Sequence, residues 1–187
     1  MLRSLFFLLL FAAIGTTVHA QAQNYRTFEW DLLQVGYASP LRDGIKPGLT
    51  LGTEFRYNLT DRFSAGFNPE IAVFSAEDAG NNTIDFGIAG SYTLTGDYYF
   101  SDTESIRPFV GTGLGLYTGG SATITDTDSD NPEVRKISGG RAFGVSPHVG
   151  VELGHLRVQL EYSLTIGNGV PNYFGITVAP TLFGGRK

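Results

Sequence analysis

The stretch from Leu49 to Phe74 constrains the fold most. From Leu49 to Leu59 the odd positions are Leu49, Leu51, Phe55, Tyr57 and Leu59, interrupted only by Thr53. The even positions are Thr50, Gly52, Glu54, Arg56 and Asn58. A period of two places these sets on opposite faces of a strand. Thr60-Asp61-Arg62 is a short polar turn, and Phe63 to Phe74 carries the alternation back. The product is a hairpin with one apolar face and one polar face, the polar one bearing Glu54, Arg56 and Glu70.

Alternation alone does not say which face is inside. In a soluble sandwich or a lipocalin-like barrel the apolar face points inward. Two features favour the inverse. The polar face is rich in glycine and small residues, which suits a crowded interior. The strands also run to about 10–12 residues, the length a tilted strand needs to cross a bilayer, whereas soluble strands are about 5–6 residues.

The amino terminus predicts export. Met1-Leu2-Arg3-Ser4 is a short positive start, Leu5 to Ile14 an apolar run, and Val18-His19-Ala20 a small-x-small cleavage pattern. Residues 1–20 read as a secretory signal peptide; the run is too short for a spanning helix. Residues 21–187 then form one domain. The chain has no cysteine, so neither disulfides nor a lipoprotein anchor is expected. Without Arg3 it carries 12 basic and 18 acidic residues, a formal charge of −6, which argues against nucleic acid as a partner.

Along the chain, Phe28 to Tyr37 alternates with a phase slip at Leu32-Leu33, read as a bulge. Ala38 to Pro47 reads as a loop. Strands two and three are the hairpin above, and Ser75 to Thr83 is a polar loop. Strand four, Ile84 to Phe100, opposes its aromatic face with Asp85, Gly87, Ser91, Thr93, Thr95 and Asp97. Strand five, Arg107 to Thr118, sets Phe109, Gly111, Gly113, Gly115 and Tyr117 against Val110, Leu114 and Leu116. Gly119 to Gly140 is the longest loop. Strands six (Arg141–Leu153), seven (Leu156–Ile166) and eight (Tyr173–Phe183) follow.

Eight strands with longer connections after the odd ones and tight turns after the even ones predict an all-β, antiparallel, up-and-down transmembrane barrel. Pro69, Pro147 and Pro180 fall on apolar faces and each removes a ladder donor. Rings gather at strand ends. Tyr57, Phe63, Tyr98, Phe100 and Phe183 are expected in a periplasmic girdle, and Tyr37, Phe74, Tyr117, Phe143 and Phe174 in an outer one.

Three segments resemble small eight-stranded outer-membrane barrels of the OmpA/OmpX type, and most of all the outer membrane protein β-barrel domain common in Bacteroidota. They are Leu49-Thr-Leu-Gly-Thr-Glu-Phe-Arg-Tyr-Asn-Leu-Thr-Asp-Arg-Phe, Arg107-Pro-Phe-Val-Gly-Thr-Gly-Leu-Gly-Leu-Tyr and Tyr173-Phe-Gly-Ile-Thr-Val. The resemblance spans nearly all of residues 21–187. It implies an outer-membrane location, a surface role through the outer loops, and contact with outer-membrane lipid. Such barrels often end on a terminal aromatic; here Phe183 is followed by Gly184-Gly185-Arg186-Lys187.

An eight-stranded barrel has an interior that side chains fill. Glu54, Arg56, Glu70, Asp85, Arg107, His148, Glu152, Arg157 and Glu161 are the expected lumen network. The principal reading is a filled, non-catalytic barrel, monomeric and without a cofactor, with an extracellular ligand or surface partner met through the loops. The excess of carboxylates over arginines keeps a narrow ion channel as the alternative. A lipid A-modifying enzyme ranks third: His148 shares a face with Ser146 and Glu152, but neighbours two apart on a strand are about 7 Å apart, too far for a nucleophile–base bond. Asp126, Asp128 and Asp130 are spaced as in a calcium loop, yet Asn131 replaces the turn glycine and Ile137 the bidentate glutamate. A solvated acidic loop is the simpler reading. Gly111-Thr-Gly113-Leu-Gly115 lies within a strand with no helix after it, so it is no nucleotide fingerprint.

Overall fold

The computed structural model describes residues 24–41, 45–76, 86–101, 105–119, 122–125, 134–137, 140–167 and 170–187. Among them the chain is all strand: β1 (Phe28–Pro40), β2 (Ile45–Asn58), β3 (Phe63–Ala76), β4 (Phe86–Tyr99), β5 (Ile106–Gly119), β6 (Ala122–Thr125), β7 (Val134–Ile137), β8 (Arg141–Leu153), β9 (Leu156–Ile166) and β10 (Tyr173–Phe183). Eight of them close into an antiparallel barrel in the order β1-β10-β9-β8-β5-β4-β3-β2. Closure leaves no free edge, and every barrel strand pairs with its chain neighbour, which is the expected up-and-down meander.

Two details depart from the sequence expectation. The segment 119–140, read as a loop, contains a separate two-stranded sheet, in which Ala122 pairs with Ile137 and Thr125 with Val134. The connection between the first two strands is also shorter than read, because β1 runs on to Pro40 and β2 already begins at Ile45. There Pro47 and Gly48 sit in an irregular stretch, between Lys46↔Ser75 and Leu49↔Val73. Any Cβ on Gly48 would collide with the backbone carbonyl of Val73, so this irregular register depends on glycine. The slip at Leu32-Leu33 is present: the β1–β2 register jumps between Asp31 and Gln34, and both leucines face outward.

The barrel is inside out. Leu49, Leu51, Leu94, Leu114, Leu116, Ile71 and Ile176 lie on its exterior. Glu29, Asp31, Glu54, Arg56, Arg107 and Arg157 lie within it, each no more than 2 % exposed. In water this distribution would leave a continuous apolar surface unburied; in a bilayer it is the stable one. Pro69, Pro147 and Pro180 all sit on the outward phase, as the alternation requires.

Aromatics band the exterior as expected, with two exceptions. Tyr57, Phe63, Phe100 and Phe183 are exposed near the end that carries the termini, and Tyr37, Phe143 and Phe174 near the opposite end. Phe74 and Tyr117 do not belong to the outer girdle. They point into the barrel, 3 % and 2 % exposed, because each sits on the polar phase of its strand.

Phe183 closes β10 facing outward and stacks on Trp30, centroids 6.4 Å apart. The tail after it turns inward. Gly184 and Gly185 have φ of +120° and +74°, values open to glycine. The turn brings the Gly185 N–H to Glu29 Oε1 at 3.1 Å and Arg186 into an antiparallel bridge with Tyr25. The aromatic therefore still terminates the strand, and the extra residues fold across the mouth.

Candidate functional site: the barrel lumen

The polar phases of all the barrel strands converge on one interior, and its centre is a lattice of charge. Arg56 on β2 lies 2.7 Å from Asp31, 3.0 Å from Glu29, 3.2 Å from Glu152 and 3.5 Å from Glu54. Arg157 on β9 reaches Asp97 at 2.9 Å, Glu152 at 3.1 Å and Glu54 at 3.7 Å. Arg107 on β5 meets Glu152 at 2.9 Å and donates to the Asp61 carbonyl at 2.9 Å. Glu152 thus joins all three guanidiniums, and Tyr99 adds its hydroxyl to the same carboxylate at 2.8 Å. Planar guanidiniums with several donors suit such multi-partner sites.

Aromatic rings close the lattice toward the end that carries the termini. The Arg107 guanidinium lies between Tyr25 and Tyr99, 3.5 and 3.7 Å from their ring centroids. Arg157 stacks over Phe109 at 3.7 Å. Phe109 has room because its cross-strand partner on β8 is Gly150, where a Cβ would strike the ring.

The opposite end is closed by an apolar cluster. Phe74, Tyr117 and Tyr173 pack with Val170 and with Ala38, Ala72, Ala89 and Ala142. Val170 comes from the β9–β10 connection and is held there by its carbonyl, which accepts from Thr165 Oγ1 at 2.9 Å. Between this roof and the charged lattice lies a polar cavity of about 10 Å³, room for roughly one water-sized group. Glu70, Glu161, Asn68, Ser91, Gln159 and His148 are among its lining residues.

The residues singled out in the sequence are placed as follows. Glu54, Arg56, Arg107, Glu152 and Arg157 belong to the lattice, and Glu70 and Glu161 line the cavity. His148 stands between the two, its Nε2 2.7 Å from Asp97 Oδ1 and its Nδ1 3.0 Å from the Ser146 carbonyl. Asp85, the acidic triplet Asp126, Asp128 and Asp130, and the expected signal peptide all lie outside the described residues. Sequence reasoning left Glu29, Asp31, Asp97 and Tyr99 out of the network. The first three occupy the polar phase of β1 and β4 and were open to the same alternation argument. Tyr99 extends the β4 polar phase beyond Asp97 and was open to that argument too. Val170 carried no signal, since its role depends on how a connection folds back.

No family model matches the sequence, and no curated protein matches it. Among solved structures the chain is similar to the N-terminal β-barrel domain of Pseudomonas aeruginosa OprF, at 17 % identity over 87 % of this chain and 100 % of that one, TM-score 0.42. It is also similar to Ail, the attachment invasion locus protein of Yersinia pestis, in complex with the heparin analogue sucrose octasulfate. There the identity is 12 % over 86 % and 99 % of the two chains, TM-score 0.47. A third is the outer membrane protein OprG from Pseudomonas aeruginosa, at 13 % identity over 91 % and 99 %, TM-score 0.47. On its own closed topology, its apolar exterior and its charged interior, the chain is a small eight-stranded antiparallel β-barrel of the membrane-spanning kind.

Proposed function

We propose that this barrel is a non-conducting outer-membrane scaffold that presents its outer connections to the cell exterior. The observation that carries the reading is the double closure of the lumen. A guanidinium–carboxylate lattice fills the middle, rings of Tyr25, Tyr99 and Phe109 cover one side, and Phe74, Tyr117, Tyr173 and Val170 cover the other. A permeating ion would have to part buried ion pairs and then cross an apolar roof, and both are costly. The filled lumen supports a structural or surface-interaction role over the channel alternative. The paired state of His148 supports a non-catalytic one, since both ring nitrogens already have partners within the barrel.

On this reading the termini and tight turns face the periplasm and the connections β1–β2, β3–β4, β5–β8 and β9–β10 face outward. Export through a cleaved signal peptide and a monomeric state are part of the proposal.

Reconstitution of the purified barrel into planar bilayers tests it. The expected record is a flat baseline under applied voltage in 1 M KCl (a concentration on the order of those where ion screening is strongest). Reproducible unitary steps from the pure protein would establish the channel reading instead.

A further inference from the structure

The buried charges are unevenly served. Within the barrel the described residues place the carboxylates of Glu29, Asp31, Glu54, Asp97 and Glu152 against Arg56, Arg107, Arg157 and His148. Glu70 and Glu161 lie apart, in the polar cavity beneath the apolar roof, and neither makes an ion pair among the described residues. Their partners are neutral. Glu70 Oε1 accepts from the Tyr173 hydroxyl at 3.0 Å. Glu161 accepts from Gln159 Nε2 at 3.2 Å and from Ser163 Oγ at 3.3 Å. His148 sits across from Glu161 in the β8–β9 ladder, but its Nε2 is committed to Asp97.

A second feature of the cavity points to an occupant. Ser91, only 6 % exposed, lines it with a hydroxyl that has no hydrogen-bond partner among the described residues. A buried hydroxyl without a partner costs free energy, and two carboxylates sharing a closed space repel each other. One positive centre between them relieves both penalties.

We propose that this cavity is a binding site for a single small, hard cation of sodium or calcium size. Glu70 and Glu161 supply the charge, and the Ser91 hydroxyl with the Asn68 amide oxygen supplies neutral oxygen, the Gln159 oxygen being held by Arg157. The donor set is oxygen throughout, which selects hard cations over transition metals. A volume near 10 Å³ admits a bare ion and excludes an organic ligand or a hydrated cluster. The roof of Phe74, Tyr117, Tyr173 and Val170 retains the ion on the outer side, so it acts as a structural counter-charge rather than as cargo.

The folded barrel in detergent, treated with chelator and held at fixed alkaline pH, provides the test. Its thermal midpoint is compared in N-methylglucamine chloride, sodium chloride and calcium chloride at equal ionic strength. Sodium or calcium is expected to raise the wild-type midpoint by about 5 °C over N-methylglucamine. The doubly substituted E70Q/E161Q barrel is expected to show no such rise. Identical wild-type midpoints in all three salts overturn the proposal and leave a shared proton as the occupant. A rise that survives in E70Q/E161Q also overturns it, placing the ion elsewhere. Should that variant fail to fold, Ser91→Ala serves: it is expected to raise the half-saturating ion concentration about fivefold, and an unchanged value overturns the site.

Discussion

Arg56 shows how individual residues hold this barrel together. It is 1 % exposed and faces four carboxylates within 3.5 Å. A buried lattice of this kind is not a large net source of stability, because desolvation offsets much of the attraction. Breaking it is another matter, since the partners are left as uncompensated buried charges. Arg56→Met keeps most of the volume and removes the charge, and should cost about 3–5 kcal/mol. Urea unfolding of the barrel in lipid vesicles measures this. Arg141→Ala, at an exposed strand start, should stay within about 0.5 kcal/mol. Equal midpoints for the two variants would mean that the lattice is not what holds the lumen.

A second residue-level case is Gly111. On β5 it lies beside the Asp97–His148 pair, and a Cβ there would collide with both side chains. Gly111→Ala should therefore destabilise by about 1–3 kcal/mol through forced displacement of that pair. Gly96→Ala on the outward phase, where a Cβ meets only ordinary contact, should be tolerated. Parallel melts of the two variants distinguish a packing requirement at Gly111 from a general cost of losing glycine.

At the level of single strands, the alternation has a membrane-specific consequence. Leu114, at the middle of β5, is 50 % exposed and flanked in the ladder by Leu94 and Val145. Leu114→Arg should cost about 2–4 kcal/mol, whereas Ile106→Arg, at the end of the same strand, should cost about 0–1 kcal/mol. The gradient is the informative quantity, because a soluble barrel with this surface in water would show no dependence on position along the strand. Unfolding titrations of both variants in the same vesicles give it directly.

For the molecule as a whole, closure and inversion predict its behaviour in a cell envelope. The protein should remain with the outer-membrane fraction after carbonate washing. Its unboiled form should migrate apart from the boiled form on SDS gels, because a closed ladder with no free edge resists detergent unfolding. Release by carbonate would reverse the assignment of faces and turn the charged set from Glu54 to Glu161 into an outer surface.

Much of this was open to the sequence alone. The period-2 pattern of Leu49 to Phe74 and its echoes specify strands, their count and their two faces, because side chains of a strand alternate by geometry whatever surrounds them. Even the bulge at Leu32-Leu33 is visible as a change of phase. What the linear pattern does not encode is which residues from different strands meet at one height in the lumen. The register around the closed sheet decides that: it brings Glu29 and Asp31 of β1, Arg56 of β2, Asp97 of β4, Glu152 of β8 and Arg157 of β9 into one lattice. The same register leaves Glu70 and Glu161 outside the arginines' reach. The insertion of Val170 and the folding of the Gly184-Gly185 tail across the mouth likewise arise from how the ends of the barrel are filled. Those are questions of volume and approach between distant segments, so only the tertiary structure decides them.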